Sequence, residues 1–449
     1  MLGVSGARGI VGKSLTPAVG TRFAQAFAAW LIAKQHAEPG DAVVLGRDAR
    51  PSGEMIEAAV VAGLLSMGLR PRLTGIASTP AIAGAVRKCD AAGGLVITAS
   101  HNPGPWNGIK PLRRDATAPP PDDARWIVEA YQQHDFDLRD AAGTPRRGET
   151  VPAAEWHVAS VLELVQRPSV AQGGFRVVLD ATCGAGGPEV ILLLEALGVD
   201  VVALYAEPTG IFPHTPEPTR DNLTELCETV AREGADLGVA VDPDADRLAL
   251  VDEAGRYIGE EYTLALAARH RLGEGDVAVA NLSTSRMIDD AAHDAGATVV
   301  RTPVGEAHVA QAMRDHTAVL GGEGNGGVIV PELSWVRDSL AGIALTLEML
   351  AARNQPLSRI VDALPAYVIE KAKQPRPDDY DPEALAKRAA DAFPDAAIDT
   401  RDGVRLDWPD AWLSLRASNT EPILRLIAES PTAQRSRELL DQAAALLDA

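Results

Sequence analysis

Short runs of apolar residues alternate along the chain with longer stretches in which apolar and polar residues recur with helical spacing. This alternation predicts buried β-strands that are each followed by an amphipathic helix, as in α/β domains. Five of the apolar runs lead into polar or glycine-rich residues: Val43–Leu45, Leu95–Ile97, Val177–Asp180, Val239–Val241 and Val277–Ala280. Because open α/β sheets bind ligands at the carboxyl ends of their strands, these polar segments are candidates for a functional site.

The length of the chain predicts several domains, because 449 residues exceed what one core usually holds. Similar strand-and-helix units recur, which indicates repeated α/β domains, although no residue-level repeat is visible. The pattern breaks at Thr144–Pro152, after the strand at 248–250, and within Pro365–Pro382, where Lys371–Pro377 loses periodicity. We therefore expect three similar mixed α/β domains over 1–150, 151–252 and 253–366, and a smaller α+β domain over 367–449.

The formal net charge of −20 excludes broad classes of partner. An acidic surface repels nucleic acid and anionic membranes, whereas a local cationic pocket can still bind a small anion. No apolar run is long enough to span a bilayer and no secretory leader is recognised. The three cysteines have neither disulfide-framework nor zinc-ligand spacing. We therefore expect a cytoplasmic protein, either a monomer or a homodimer.

The segment Thr98–Pro103 places a serine hydroxyl, Ser100, on a stiff loop that follows an apolar strand. The asparagine, proline and glycine at its end are strong turn formers, which hold the loop in place. His101 is adjacent, and Lys110 follows ten positions after the serine. The arrangement suits a nucleophile or a phosphate carrier. A surface loop with a capping serine is the alternative that this segment alone leaves open.

Asp242, Asp244 and Asp246 follow another apolar strand at alternate positions. In an extended chain such side chains project to one side, so three carboxylates would converge and require a cation. Hard oxygen ligands favour Mg²⁺ or Mn²⁺. With Glu253 the triplet nearly matches an EF-hand loop, but Arg247 stands where that loop needs glycine, and strands flank it. An aspartyl phosphatase remains an alternative for this segment alone.

Two further loops carry groups suited to a phosphorylated ligand. Glu323 and Asn325 are the polar side chains of the glycine-rich segment Gly321–Gly327, and a carboxylate and an amide suit hydroxyl recognition. The loop Arg416–Pro422 offers an arginine, two hydroxyls and an amide to a phosphate, and Arg425 follows it.

The segment Ala7–Ser14 fits the loosest form of a nucleotide-binding P-loop. No full strand can precede it, and Pro17 follows too soon for a long helix to grow from Lys13. We therefore reject a nucleotide site, although Arg8 could still contact a phosphate.

Taken together, these segments resemble the α-D-phosphohexomutase family, which includes phosphoglucomutases, phosphomannomutases and phosphoglucosamine mutases. The resemblance covers nearly the whole chain, with six motifs in family order: Ser5–Gly9, Gly46–Arg50, Thr98–Pro103, Asp242–Arg247, Gly322–Gly326 and Arg416–Pro422. It implies three similar α/β domains and a smaller fourth domain around a central cleft, which agrees with the pattern above.

The resemblance also implies a reaction and a set of residues. A phosphorylated serine would donate its phosphoryl group to a hexose monophosphate and recover the other phosphate from the resulting hexose 1,6-bisphosphate, so that phosphate moves between O6 and O1. Mg²⁺ would neutralise charge on the transferring group. The implied catalytic residues are Ser100, Lys110, Arg8 and His101, the last organising the loop rather than acting as base. The implied metal ligands are Ser100, Asp242, Asp244 and Asp246. The implied substrate-binding residues are Arg247, Glu323, Asn325, Arg416, Ser418, Asn419, Thr420 and Arg425.

Departures from the family pattern bear on the sugar. Pro243 replaces the usual glycine between two of the aspartates, and Asn325 stands where many members carry serine. The glycine-rich loop, followed by Val328-Ile329 and Arg337-Asp338, resembles archaeal-type phosphoglucosamine mutases more than phosphomannomutase/phosphoglucomutase. We therefore expect glucosamine phosphate as substrate, with mannose or glucose phosphates as the alternative. A serine-phosphoenzyme phosphatase and a silent sugar-phosphate sensor are the competing classes.

Overall fold

The computed structural model describes residues 2–3, 6–377, 380–418 and 423–447. The first of its four sheets has the order β1-β2-β6-β5-β3-β4. Its strands are β1 (Leu2–Gly3), β2 (Gly6–Ile10), β3 (Ala42–Arg47), β4 (Arg70–Ile76), β5 (Gly93–Ile97) and β6 (Trp106–Arg113). The helices of this part are α1 (Pro17–Gln35), α2 (Gly53–Ser66), α3 (Thr79–Lys88) and α4 (Pro121–Gln133).

The second and third sheets have four strands each, in the orders β10-β9-β7-β8 and β12-β11-β13-β14. The second contains β7 (Arg176–Asp180), β8 (Asp200–Leu204), β9 (Leu237–Val241) and β10 (Leu248–Asp252), with helices α5 (Ala153–Leu164), α6 (Arg167–Gly173), α7 (Gly186–Ala196) and α8 (Thr224–Glu233). The third contains β11 (Val277–Asn281), β12 (Thr298–Thr302), β13 (Leu320–Glu323) and β14 (Gly327–Ile329), with helices α9 (Glu261–Arg271), α10 (Met287–Ala295), α11 (Glu306–Asp315), α12 (Ser339–Arg353) and α13 (Leu357–Asp362).

These three sheets repeat one topology. In each, a central strand pairs in parallel with two neighbours: β3 with β4 and β5, β7 with β8 and β9, and β11 with β12 and β13. A fourth strand then pairs antiparallel with one of those neighbours: β6 with β5, β10 with β9, and β14 with β13. The prediction of three similar mixed α/β domains is therefore confirmed. The first sheet adds β2 and β1 beyond β6.

The fourth sheet is antiparallel, with the order β15-β19-β18-β17-β16. It contains β15 (Val368–Pro375), β16 (Ala397–Asp399), β17 (Val404–Asp407), β18 (Trp412–Ala417) and β19 (Ile423–Ser430), packed with α14 (Pro382–Ala392) and α15 (Ala433–Leu447). The smaller α+β domain is thus confirmed.

Most of Lys371–Pro377, where the apolar periodicity is lost, lies in strand β15. The strand lies at the edge of the sheet, so its polar side chains alternate toward solvent and hide the apolar signal.

The second and third sheets share one continuous apolar core, which includes the nearly fully buried helix α12. Asp338 begins that helix by accepting a hydrogen bond from the N–H of Ala341 at 3.0 Å. The first and fourth sheets have cores of their own. In the part of the chain that the structure describes, no helix is long and apolar enough to cross a membrane.

Candidate active site

All four sheets contribute to one cleft with a volume of about 450 Å³. The predicted site residues that line it are Arg8, Ser100, His101, Lys110, Arg247, Glu323, Asn325, Arg416 and Arg425. The three aspartates lie buried beside it, in contact with Ser100 and Lys110. Segments more than 300 positions apart in the chain therefore meet in a single site.

Ser100 is held at the carboxyl end of β5 in an uncommon backbone conformation. Its φ of 50° lies in the left-handed region, and only 4% of the residue is exposed. Its N–H donates to Thr98 Oγ1 at 2.9 Å, and the Thr98 hydroxyl donates to Asp48 at 2.7 Å. The Ser100 hydroxyl itself donates to Asp242 Oδ2 at 2.7 Å, which joins the first and second sheets.

Arg50 anchors the serine loop from beneath. Its guanidinium donates to the carbonyl oxygens of Ser100 at 2.6 Å, Asn102 at 2.7 Å, Pro103 at 3.0 Å and Trp106 at 3.1 Å. The side chain is fully buried and is itself fixed by the carboxylate of Asp48 at 3.0 Å. One rigid, planar donor group thus connects four acceptors of the loop.

The predicted convergence of the aspartates is observed. Ligand atoms of Asp242, Asp244 and Asp246 lie within 4.8 Å of one another, and all three residues are completely buried. One buried oxygen of Asp244 and one of Asp246 have no hydrogen-bond partner among the described residues. Buried carboxylate oxygens need a partner, so this donor set fits a hard divalent cation such as Mg²⁺.

Two cations partly compensate the carboxylates. Lys110 Nζ lies 2.7 Å from Asp244 and 3.4 Å from Asp246, and Arg337 donates to Asp246 at 2.6 Å. Burial opposes ionisation of Asp244 and Asp246, but these cations outweigh it and lower the pKa of both carboxyls. Burial and the two neighbouring carboxylates raise the pKa of Asp242 well above its usual range. Asp242 is therefore the carboxylate most in need of added positive charge.

His101 is uncharged at neutral pH. Burial, with the nearby Arg247 cation, lowers the pKa of its imidazole to about 3. Its Nδ1 lies 3.3 Å from the Ser100 hydroxyl, and its Nε2 lies 4.0 Å from Glu217. Glu217 also lies 3.7 Å from Arg247, so a loop of the second sheet reaches both cleft residues.

Arg8 and the polar residues of the glycine-rich segment Gly321–Gly327, called the sugar loop after the role that the family resemblance implies, are hydrogen-bonded to their surroundings. Arg8, on β2, donates to the side chain of Asn102 at 3.0 Å. Glu323 accepts hydrogen bonds from Asn281 at 2.7 Å and from Arg337 at 2.6 Å. Asn325 follows it in the loop between β13 and β14 and lines the cleft.

The fourth sheet presents its arginines as a pair. Arg416 and Arg425 are directly opposite in the register of β18 and β19, and Asp402 lies 3.7 Å from Arg416. Ser418 follows β18 and is buried, without lining the cleft. Asn419 and Thr420 lie outside the described residues, as does Ser5 of the first family motif.

Several cleft residues were missed by sequence reasoning. Thr79 begins α3 and donates to Asp244 at 2.7 Å. Arg337 joins the segment Asp242–Arg247, called the metal loop after its implied role, to the sugar loop. Glu261 and Lys371 also line the cleft. One available signal was lysine scarcity, since two of only seven lysines, Lys110 and Lys371, line this cleft. The others carry no local pattern that marks them.

Comparison with known families covers the chain in four consecutive parts. Each part matches a description within phosphoglucomutase/phosphomannomutase: alpha/beta/alpha domain I over 1–138, domain II over 155–255, domain III over 259–367, and the C-terminal domain over 371–446. The order agrees with that of the four sheets.

The similarity to individual relatives covers nearly the whole length of both chains. A phosphoglucomutase/phosphomannomutase of Thermococcus kodakarensis is 36% identical, covering 100% of this chain and 98% of the relative. A probable phosphoglucosamine mutase of Methanopyrus kandleri is 37% identical, covering 98% and 96%. A solved phosphoglucomutase/phosphomannomutase family structure from Burkholderia thailandensis is 27% identical with a TM-score of 0.86, covering 100% of this chain and 98% of that one. With this similarity along its whole length, the chain belongs to the α-D-phosphohexomutase family of isomerases.

Proposed function

We propose that this phosphohexomutase interconverts glucosamine 6-phosphate and glucosamine 1-phosphate through a phosphorylated Ser100. The observation that carries the proposal is the 2.7 Å hydrogen bond between the Ser100 hydroxyl and Asp242, at the edge of a cleft lined by all four sheets. This bond places the proposed phosphoryl carrier beside three buried carboxylates suited to a cation.

Each of the two proposed phosphoryl transfers breaks one phosphorus–oxygen bond and forms another. The phosphorus–oxygen bond to Ser100 breaks as one forms to the free sugar hydroxyl, which loses its proton and gives a hexose 1,6-bisphosphate. After the bisphosphate has turned over, its other phosphoryl group passes to Ser100 Oγ and the sugar oxygen left behind takes a proton. Lys110, which lines the cleft, is the proposed proton carrier, whereas His101, whose Nδ1 lies 3.3 Å from the serine hydroxyl, orients the loop.

Asp242, Asp244 and Asp246, with a phosphorylated Ser100, are the residues that would hold Mg²⁺. When bound, the ion offsets the negative charge that develops during phosphoryl transfer. Lys110 and Arg8 line the same part of the cleft and supply fixed positive charge from the protein.

The fourth sheet supplies the proposed phosphate cradle for the end of the sugar that is not reacting. Arg416 and Arg425 lie directly opposite each other on neighbouring strands and both line the cleft, so they bring two guanidinium groups to one place. Arg247 adds a further guanidinium to the cleft. Ser418, Asn419 and Thr420 are assigned to the proposed cradle by their place in the motif alone, since Ser418 does not line the cleft. Glu323 and Asn325 would then contact sugar hydroxyls between the two ends.

The choice of glucosamine is supported by the names of several relatives. Probable phosphoglucosamine mutases of Methanopyrus kandleri and Methanothermobacter thermautotrophicus are 37% and 34% identical to this chain. The relative from Thermococcus kodakarensis, at 36%, carries the name phosphoglucomutase/phosphomannomutase instead, so glucose and mannose phosphates form the second candidate class.

The test is a substrate panel with Mg²⁺ and a trace of hexose 1,6-bisphosphate. Glucosamine 6-phosphate, glucose 1-phosphate and mannose 1-phosphate are compared by kcat/KM, and inorganic phosphate is followed in parallel. We expect isomerisation without net phosphate release and the highest kcat/KM for glucosamine phosphate. A higher kcat/KM for glucose or mannose phosphate would make that sugar the substrate instead of glucosamine phosphate. Dominant release of inorganic phosphate would overturn the proposal that the protein is a mutase.

Intact mass analysis tests the role of Ser100 separately. The protein incubated with hexose 1,6-bisphosphate should gain one phosphate, and Ser100→Ala should gain none and lose turnover. A phosphate adduct that persists in Ser100→Ala would remove this residue from its proposed role.

A further inference from the structure

Glu261 places an unassigned carboxylate in the cleft. It is the first residue of α9, and its side chain lies among the residues that line the cleft beside the sugar loop. Within the described part of the chain its only hydrogen-bond donor is the N–H of Ser285, which lies 3.0 Å from Oε2. Oε1 is therefore available to a ligand.

The sugar loop makes room for this carboxylate through one glycine. A Cβ added to Gly324 would overlap both carboxylate oxygens of Glu261, so any larger residue would displace the side chain. Gly324 is fixed in turn by a hydrogen bond from its N–H to Thr284 at 3.0 Å. Glu261 thus lies directly against the segment that carries Glu323 and Asn325.

Asn325 adds a second acceptor at the same loop. Its Oδ1 is buried and has no hydrogen-bond partner in the ranges that the structure describes. A hydroxyl offers one hydrogen, whereas an ammonium group offers three donors and no acceptor. Two unpaired acceptors on adjoining segments therefore match an ammonium better than a hydroxyl.

We propose that Glu261 is a specificity-determining residue that, with Asn325, binds the protonated amino group of a hexosamine phosphate. The inference rests on the proposed function, because it concerns the substrate of the same cleft. It gives the substrate a contact with Glu261 of α9, in addition to those expected from the sugar loop.

The charges around Glu261 are compatible with a bound cation. Lys371, whose ammonium lies 3.5 Å from Glu260, is the nearby positive group, and Glu260 and Glu429 are the nearby negative groups. Burial raises the pKa of Glu261 to about 8, although Lys371 acts in the opposite direction. A buried carboxyl that is costly to ionise gains most when a ligand brings its own positive charge.

The test compares Glu261→Gln with the unaltered protein. Binding of glucosamine 6-phosphate and of glucose 6-phosphate is measured by calorimetry with Mg²⁺ present, and kcat/KM is measured for both sugars. A charged hydrogen bond predicts that the variant loses roughly 10- to 100-fold in affinity for the amino sugar relative to glucose 6-phosphate. Gly324→Ala should also lower the affinity for glucosamine 6-phosphate relative to glucose 6-phosphate, because the added methyl group displaces the Glu261 carboxylate.

Glu260→Gln is the matched control, since it removes one negative charge a single position earlier on a carboxylate that pairs with Lys371. Its ratio between the two sugars should change by less than about threefold. An equal loss for both sugars in Glu261→Gln, or an equal shift in Glu260→Gln, would overturn the inference. Absence of mutase activity on every hexose phosphate would instead overturn the proposed function, while the binding ratio still reports on Glu261.

Discussion

Arg50 shows at the scale of one residue how the serine loop keeps its shape. A left-handed backbone at a residue other than glycine is costly, so Ser100 needs surroundings that hold it there. Arg50 supplies them by donating to loop carbonyls while Asp48 fixes the guanidinium. The strained serine and the buried arginine therefore act as one unit.

Arg50→Lys should separate charge from geometry. An ammonium has three donors and cannot reproduce the planar fork, so some buried acceptors would lose their partners, at about 1–3 kcal/mol each. We expect a lower urea midpoint of unfolding and a loss of phosphate uptake from hexose 1,6-bisphosphate of roughly 100-fold, measured by intact mass over time. The control is Arg47→Lys. Arg47 lies three positions before Arg50 and forms an ion pair with Glu54. Normal phosphate uptake in Arg50→Lys would contradict this role.

At this scale the sequence was informative wherever the pattern was local. The alternate spacing of Asp242, Asp244 and Asp246 predicted their convergence, because strand geometry alone brings them to one side. Arg50 and Arg337 could not be assigned roles in the same way. Apart from Asp48, the partners of Arg50 lie 50 to 56 positions away, and those of Arg337 lie 14 to 91 positions away. Such pairings depend on the tertiary fold.

At the scale of elements, the ends of several helices meet in a buried polar junction. His157 of α5 lies 3.1 Å from Asp338, which begins α12. Glu189 of α7 accepts hydrogen bonds from the N–H and hydroxyl of Ser78, which caps the N-terminus of α3, at 2.7 and 2.6 Å. Burial alone would lower the pKa of His157, but Asp338 outweighs it and raises the pKa. The junction thus joins helices from three α/β units beneath the metal loop.

This junction predicts a pH-dependent stability. A raised pKa in the folded state means that the native protein holds its proton more tightly than the unfolded chain, whose histidine titrates near 6.5. The contribution of His157 is therefore complete below about pH 6.5 and is lost as pH rises through the higher folded value. The urea midpoint of His157→Gln should lie below that of the unaltered protein at pH 6, and the gap should narrow toward pH 9. His36→Gln, at an exposed position, controls for loss of a histidine; a gap independent of pH would contradict the assignment.

Elements with both faces buried were predictable, and those at an edge were not. The strands β9 and β10 are buried at every position and flank the metal loop as their apolar runs indicated. Strand β15 loses the apolar periodicity because its exposed face carries charge and two prolines stand at and beyond its end. The pattern of apolar residues indicates which positions are buried, and few positions of an edge strand are buried.

At the scale of the whole molecule, the fourth sheet joins the third through polar contacts to main-chain groups. Arg286 donates to the carbonyls of Trp408 at 3.4 Å and Pro409 at 2.7 Å, and its own N–H donates to Glu429 at 3.0 Å. Arg405 donates to the carbonyl of Leu282. Because polar interfaces of this kind hold domains together less firmly than apolar ones, we expect the fourth sheet to move relative to the third.

Arg286→Ala should weaken that attachment without touching the chemistry. We expect KM for the hexose monophosphate to rise roughly tenfold, because two hydrogen bonds that position the arginine pair are lost. Hydrogen exchange in 412–417 should quicken, while phosphate uptake at Ser100 from hexose 1,6-bisphosphate serves as a measure of the serine and metal loops. Unchanged KM together with unchanged exchange would show that Arg286 does not hold the fourth sheet.

The hydrogen bond between Ser100 and Asp242 has a consequence for protein synthesis. The two residues are 142 positions apart, so the serine leaves the ribosome well before its partner. At a translation rate of about 5–20 residues per second, the delay is roughly 7–30 s. During that interval the growing chain carries the serine loop without the three carboxylates that would hold a cation beside it. On the proposed function we therefore expect chains that end before residue 242 to take up no phosphate from hexose 1,6-bisphosphate, so that activity requires the later domains.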